Sequence, residues 1–122
     1  MRSNCVMAVR RVVPDINTRH PDATRSFYVD LVGLEVAMDL GWVVTYASPT
    51  NPTAQVTVTQ SEAPGIQPGM SIEVTGVDEV HAQALRRGDD IVYPLTDEPW
   101  GVRRFFVRDP NGVVVNVLEH LR

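Results

Sequence analysis

Two carboxylates and one guanidinium are the side chains of this sequence that could carry a reaction. Glu73 and Asp15 each fall in a predicted strand, where a carboxylate can act as a general base. Arg104 falls in another, where a guanidinium can stabilise an oxyanion that develops on a substrate. These three are the catalytic candidates. Arg104 has two alternatives, because either Glu73 or Asp15, or an anionic or carbonyl-bearing ligand, could satisfy its charge.

The placement of Arg104 follows from a hairpin late in the chain. The tetrapeptide Asp109-Pro-Asn-Gly112 is a strong turn signal, since its proline presets φ and its glycine accepts a positive φ. The turn puts Phe106 opposite Asn116 and Arg104 opposite Leu118. Because side chains alternate between the two faces of a strand, these four residues are predicted to share one face.

Histidine and cysteine, which often hold transition metals, are scattered in this sequence. His20 precedes the first predicted helix, where capping is the plain interpretation, and His81 lies in the apolar register of the second, where it should pack at the edge. His120 is isolated as well. Cys5 is alone and can form neither an intramolecular disulfide nor a cysteine cluster. We therefore expect none of these residues to ligate a metal.

Two helices must position these strands. The first begins near Pro21 and ends at Gly33. The second follows Thr75-Gly-Val-Asp78, whose spacing resembles a capping box, and ends at Gly88. Apolar residues at helical spacing predict the core-facing sides: Ala23, Phe27 and Leu31 in the first helix, and Val77, Val80, Ala84 and Leu85 in the second.

The remaining segments alternate with period two and predict strands at 12–18, 34–38, 42–48, 55–60, 70–74, 90–94, 102–108 and 113–119. Strand, helix and three strands therefore occur twice, which suggests a duplicated unit. Prolines and glycines mark a linker at 61–69 between unit one (about 10–60) and unit two (about 70–120). The prediction is a single α+β domain over 1–122 with mixed, mostly antiparallel sheets.

Composition narrows the function classes. The chain has 122 residues, 43% of them hydrophobic, and a net charge of −4 with dispersed basic residues. Nucleic-acid binding needs a clustered basic footprint, so it is not expected. No apolar run approaches the roughly 20 residues that span a bilayer, and no signal-peptide pattern is present. We expect a cytoplasmic protein without nucleic-acid or membrane partners.

Three segments resemble the glyoxalase/bleomycin-resistance/extradiol dioxygenase (vicinal oxygen chelate) superfamily. They are Ser26-Phe-Tyr-Val-Asp-Leu-Val-Gly-Leu34, Thr75-Gly-Val-Asp-Glu-Val80 and Arg103-Arg-Phe-Phe-Val-Arg-Asp-Pro-Asn-Gly112. The resemblance implies two βαβββ units forming an open, cup-shaped mixed sheet. It also implies a homodimer, because chains of this length usually pair to build two clefts.

Metal-dependent members of that superfamily place His, Gln or Glu ligands on the first, fourth, fifth and eighth strands. The resemblance puts these positions at Val13, at Gln55 or Thr57, near Gly69 and at Asn116. Valine and glycine side chains cannot ligate a metal, and amide oxygens alone are poor anchors. We therefore expect neither a metal nor another cofactor.

In the superfamily the position of Asn116 faces into the cup, and strand alternation extends the lining from it. Phe105, Val107, Val115, Val117, Met70, Ile72, Val74 and Ile16 are assigned to the core. Arg103 and Glu119 become cross-strand partners and are predicted to form a salt bridge. The candidate ligand-binding residues are Asp15, Asn17, Trp42, Tyr46, Ser71, Glu73, Trp100, Arg104, Phe106, Asn116 and Leu118. Ordinary packing is the alternative for Trp42, Tyr46 and Trp100.

The favoured hypothesis is a metal-independent protein of sequestration or resistance type that binds a small organic molecule. One alternative is a metal-free isomerase, lyase or hydrolase in which Glu73 or Asp15 is the base and Arg104 stabilises an oxyanion. The other is a metal-dependent glyoxalase- or dioxygenase-type enzyme, which the missing ligands disfavour. Whether any reaction is catalysed stays open. A strongly raised carboxylate pKa in the cup would favour the metal-free enzyme.

Overall fold

A computed structural model describes residues 8–60 and 65–121 of the chain. Cys5 and the first part of the 61–69 linker lie outside these residues. The described chain divides into two compact units. The N-terminal unit comprises residues 13–60 and 65–67, and the C-terminal unit comprises residues 8–12 and 68–121. The first strand, β1 (Ala8–Asn17), contributes to both.

The N-terminal unit follows the βαβββ order. After β1 come α1 (Pro21–Arg25) with a π-helical continuation (Ser26–Leu31), β2 (Glu35–Asp39), β3 (Val43–Ala47) and β4 (Gln55–Thr59). The strands are ordered β2-β3-β4-β1. Neighbours pair antiparallel except β4 and β1, which run parallel.

The C-terminal unit repeats this order. Its elements are β5 (Met70–Thr75), α2 (Val77–Arg87), β6 (Asp90–Glu98), β7 (Val102–Arg108) and β8 (Val114–His120). The strands are ordered β1-β5-β8-β7-β6, with β5 and β8 parallel and β8, β7 and β6 antiparallel. The predicted α+β class with mixed sheets and two βαβββ units is confirmed.

The core of the C-terminal unit lies between α2 and one face of its sheet. Phe105 is fully buried there, with Val74, Val115 and Val117 around it. The final hairpin has the predicted register, because Arg104 pairs with Leu118 and Phe106 with Asn116. Alternation therefore sends these last four side chains to the face opposite α2.

The apolar stripe predicted for the first helix does not face the core. Phe27 and Leu31 are 51% and 71% exposed, whereas Tyr28 and Val29 pack against the core of the N-terminal unit. The helix changes to π geometry from Ser26, with the Val32 N–H bonded to the carbonyl of Phe27 five residues back. A four-residue spacing of apolar side chains identifies the buried face of a helix only if the helix has α geometry throughout. The prediction therefore named the wrong face of this helix.

The predicted capping box at the start of α2 is also wrong. Gly76, at the N-cap, has a left-handed backbone, and no side chain of the local segment caps the helix. Instead, Glu119 on β8 accepts a hydrogen bond from the Val77 N–H at 3.0 Å. At the other end, Leu85 is mostly exposed although its spacing predicted burial.

Arg103 and Glu119 are cross-strand partners, as predicted, but they form no ion pair with each other. Arg103 pairs with Asp97 and Asp78, while Glu119 caps α2. Arg103 therefore takes its ionic partners from the edge strand β6 and the first turn of α2, and not from its cross-strand partner on β8.

Two strands are several residues longer than predicted. β6 continues through Pro94 to Glu98. It lies at the edge of the sheet, so the N–H that proline lacks is not needed for a hydrogen bond to a neighbouring strand. β1 begins at Ala8 and not at residue 12. Ile16, assigned to the core, is 36% exposed. No helix within residues 8–60 and 65–121 is both long and apolar enough to cross a membrane.

Candidate functional site

The C-terminal unit gathers seven of the candidate residues. We call the sheet face opposite α2 the distal face. Six of the seven stand on its strands: Ser71, Glu73, Arg104, Phe106, Asn116 and Leu118. The seventh, Trp100, lies in the turn between β6 and β7 with its ring 5.0 Å from the Arg104 guanidinium. These candidates therefore form one connected surface.

Asn116 is the most buried polar group of this surface, with only 8% of it exposed. Its Nδ2 donates a hydrogen bond to Ser71 Oγ at 3.0 Å, and the two residues are partners in the parallel β5–β8 pair. Its Oδ1 is buried and has no hydrogen-bond partner among residues 8–60 and 65–121. Leaving such an acceptor unsatisfied costs on the order of 1–3 kcal/mol. The distal face thus holds an acceptor that a donor from outside the described chain would stabilise.

Arg104 sits in an aromatic cage. Its guanidinium carbon lies 4.8 Å from the Phe106 ring centroid, 5.0 Å from that of Trp100 and 5.3 Å from that of Tyr93. Tyr93 and Phe106 pack with their centroids 4.7 Å apart. Cation–π attraction holds a guanidinium in such a position, worth ~0.5–2 kcal/mol per good contact.

Glu98, and not Glu73 or Asp15, is the ionic partner of Arg104. The Arg104 Nε–H donates to Glu98 Oε2 at 2.7 Å, and the Tyr93 hydroxyl donates to the same oxygen at 2.9 Å. The Glu98 side chain is 9% exposed and that of Arg104 21%. Sequence reasoning missed Glu98 because it ended β6 at Pro94. Recognising an edge strand, where proline is tolerated, would have extended β6 to this carboxylate.

Glu73 belongs to a second polar cluster, formed with Arg11 and His120. Its Oε1 accepts from Arg11 Nε, and its Oε2 lies 2.9 Å from His120 Nδ1. Partial burial by itself would raise the pKa of the Glu73 carboxyl. The hydrogen bonds from His120 and Arg11 outweigh it, so the net pKa lies below the ordinary value. Glu73 is therefore held as a carboxylate, and sequence reasoning missed both partners because each stands on a different strand.

The other four candidates lie in the N-terminal unit. Asp15 is level with Thr57 on β4, and Asn17 Nδ2 donates to Thr59 Oγ1 at 3.4 Å. Trp42 precedes β3 and is half-exposed. Tyr46, however, is 2% exposed and stacks on Tyr28 in the core beneath the helix. Tyr46 is therefore a packing residue and is not part of the proposed site.

The donor set at the superfamily's ligand positions does not fit a metal. Val13 is buried, and its side chain has no atom that could ligate a metal. Gly69 lies before the start of β5, and the β5 residue that stands level with Asn116 is Ser71. Gln55 Nε2 donates to the carbonyl of Pro52. Within the described chain, no group of three or more His, Cys, Asp or Glu residues is arranged to hold a metal ion.

The surroundings of His20, His81 and His120 differ from one another. His81 packs edge-on against Phe105, with ring centroids 5.0 Å apart, as its register predicted. His20 stands at the N-cap of α1 but provides no side-chain cap, so the capping interpretation is wrong for its ring. His120 contacts Glu73.

A family model described as "Glyoxalase/Bleomycin resistance protein/Dioxygenase superfamily" matches residues 8–117. A superfamily member from Vibrio splendidus 12B01 has a similar structure, with a TM-score of 0.73, 18% identity, and 92% of this chain and 99% of that chain covered. A Legionella pneumophila protein described as an NAD-dependent benzaldehyde dehydrogenase has a TM-score of 0.72 at 19% identity, with 89% and 98% covered.

A homoprotocatechuate 2,3-dioxygenase variant from Brevibacterium fuscum has a TM-score of 0.66 at 17% identity, and the match covers 96% of this chain but 33% of that one. No curated protein matches the chain. At these identities the structural likenesses show the fold alone.

Proposed function

Because the chain belongs to the glyoxalase/bleomycin resistance protein/dioxygenase superfamily, we propose that it is a metal-independent protein that binds a small organic molecule on the distal face. The binding would serve sequestration or resistance. One observation carries the proposal: the buried Asn116 Oδ1 has no hydrogen-bond partner within the described residues. Native proteins rarely leave a buried acceptor unsatisfied, so a donor from a ligand or a trapped water is the expected partner.

The surroundings of Asn116 support a small-molecule site. Phe106 lies beside it as its cross-strand partner, and the aromatic cage of Arg104 continues from Phe106. Ligand sites commonly combine apolar and aromatic walls with a few oriented polar groups. Trp100 is half-exposed, so an aromatic wall of the cage borders solvent.

The ionic states on the distal face favour binding over acid–base catalysis. A general base that works near neutral pH needs a raised carboxylate pKa. The pKa of Glu73 is lowered instead, by the hydrogen bonds that outweigh its burial. Arg104 is held against Glu98. Metal-dependent chemistry is disfavoured because valine stands at one expected ligand position and serine stands level with Asn116.

We also propose that the protein works as a homodimer. Large apolar side chains are more than half exposed in the described chain, among them Phe27 and Leu31, which lie together on the surface of the first helix. Burying apolar patches of this kind is the usual driving force for association. Sedimentation at micromolar protein concentration should give the mass of a dimer, and a monomer alone would contradict this part of the proposal.

The decisive experiment is a native mass spectrum of protein purified from its own host. We expect a retained small molecule that is lost on denaturation. Asn116→Leu should reduce this retention while leaving the melting temperature unchanged or raised, because it removes an unsatisfied buried acceptor. Val113→Ala, at an exposed apolar position after the turn, is the control and should retain the molecule. Equal retention by the Asn116 variant would refute the assigned site.

The metal-independent part has its own test. Elemental analysis of the same preparation should find less than stoichiometric Zn, Ni, Mn and Fe. One tightly held ion per chain would overturn it and favour the metalloenzyme.

A further inference from the structure

The guanidinium of Arg104 is only partly used by the protein. It has five N–H donors, and the one on Nε bonds Glu98. The terminal nitrogens have no hydrogen-bond acceptor among residues 8–60 and 65–121. The side chain is 21% exposed, and three aromatic rings surround the guanidinium, with centroids 4.8–5.3 Å from its carbon. A fixed planar fork of donors is suited to an oxygen acceptor that approaches in the same plane.

Arg104 and Asn116 are close enough for one small molecule to contact both. Phe106 is two residues from Arg104 on β7 and is the cross-strand partner of Asn116, which puts the Arg104 and Asn116 Cα atoms about 8 Å apart. The guanidinium lies within 4.8 Å of the Phe106 ring centroid, so it leans toward the Phe106–Asn116 pair. The unsatisfied Asn116 oxygen is the more buried end, and the Arg104 edge is the more exposed end.

The charges around these two groups are already balanced. Arg104 is paired with Glu98, and Arg11 is paired with Glu73. Two further titratable groups contact these pairs: the Tyr93 hydroxyl donates to Glu98, and His120, which is 53% exposed, bonds Glu73. An anionic ligand would therefore add an uncompensated negative charge beside Glu98. Burying an unpaired charge is costly, whereas an uncharged carbonyl can accept from the guanidinium without that cost.

We propose that the distal face selects an uncharged, planar, ring-sized molecule with a carbonyl at one end and a hydroxyl or amine donor at the other. The donor end enters first and bonds the Asn116 oxygen. The carbonyl stays at the more exposed end and accepts hydrogen bonds from the terminal nitrogens of Arg104. The ring packs against Phe106 and Trp100. This inference rests on the proposed function and specifies its ligand class.

Three matched probes test the inference by calorimetric titration: 4-hydroxybenzamide, 4-methylbenzamide and 4-hydroxybenzoate. We expect 4-hydroxybenzamide to bind most tightly. The methyl compound should bind about tenfold more weakly, because losing one hydrogen bond to a buried acceptor costs about 1.4 kcal/mol. The benzoate should also bind more weakly than the amide. A benzoate that binds more tightly would overturn the argument from charge balance, and equal binding of the methyl compound would overturn the role of Asn116.

Arg104→Lys tests the planar fork, since lysine can keep the ion pair with Glu98 and so preserve the fold. It should weaken 4-hydroxybenzamide about tenfold, whereas Arg103→Lys, the adjacent position on the opposite face, should leave binding unchanged. Unchanged binding by the Arg104 variant would overturn the inference. If no probe binds the wild-type protein, the ligand class is wrong. A molecule retained in the native mass spectrum would then still uphold the proposed function.

Discussion

Replacing Arg104 by methionine should destabilise the protein strongly. Methionine keeps much of the side chain's apolar packing but removes the charge. Glu98, whose side chain is 9% exposed in the wild type, then keeps only the Tyr93 hydroxyl as a donor within residues 8–60 and 65–121. Breaking a buried ion pair by removing one partner costs roughly 3–5 kcal/mol. Arg104 keeps 21% of its side chain in contact with solvent, so we expect the lower end, about 3 kcal/mol.

The assay is thermal unfolding followed by circular dichroism. For a domain of this size, 1 kcal/mol corresponds to about 4 °C, so the melting temperature should fall by about 12 °C. Arg103→Met is the matched control: it is the neighbouring residue on the opposite face, and its partners Asp97 and Asp78 are largely exposed. Exposed ion pairs contribute little to stability, so this control should melt close to the wild type.

A double-mutant cycle separates the ion pair from the packing of Arg104 against the rings. Glu98→Gln removes the carboxylate charge, so adding it to Arg104→Met should recover part of the lost stability. We expect a coupling energy of about 2 kcal/mol between the two positions. A single Arg104→Met variant that melts within 2–3 °C of the wild type, roughly half a kcal/mol, would refute the idea that this pair stabilises the fold.

Three further outcomes are expected. Glu119→Ala should lower the free energy of unfolding by about 1 kcal/mol in urea titrations, because the first turn of α2 loses its cap; an unchanged midpoint would contradict the cap. Gly112→Ala should cost about 1 kcal/mol by the same measurement, since Gly112 has φ of 87° with nothing within 4 Å of an added Cβ, whereas Gly69→Ala, whose Cβ would meet its neighbour at an ordinary 3.8 Å, should be nearly neutral. Because the pKa of Glu73 is lower in the folded chain, its stabilisation is present above the ordinary carboxylate pKa and is lost as pH falls through and below it. In melting curves between pH 6 and pH 3, Glu73→Gln should therefore lose less stability than the wild type, and an equal loss by the two proteins would contradict this contribution of Glu73.

The sequence predicted the fold where one local signal controlled a whole element. The turn Asp109-Pro-Asn-Gly112 determines the register of its hairpin, and that register is confirmed from Arg104 to Asn116. Period-two alternation likewise identified Phe105 as core. These signals are local, so one sequence is enough to interpret them.

Predictions that depended on distant partners were less successful. The cap of α2 comes from Glu119, which is 42 residues away along the chain, and Arg104 takes its ion pair from the edge strand. The π-helical turn at Ser26–Leu31 has no signature in a four-residue repeat. Side-chain ion pairs are decided by three-dimensional neighbours, which neither periodicity nor spacing specifies.

The hydrogen bond from Val77 to Glu119 has a consequence for synthesis on the ribosome. At about 5–20 residues per second, the 42 residues that separate helix start from cap take roughly 2–8 seconds to translate. β5 also lacks one of its neighbouring strands during this time, because its parallel partner β8 is late in the chain. The nascent chain must therefore hold α2 uncapped and one edge of β5 without β8 until the last strand arrives. Chaperones that shield such strand edges would act in this interval, and slowing translation just before β8 would lengthen it.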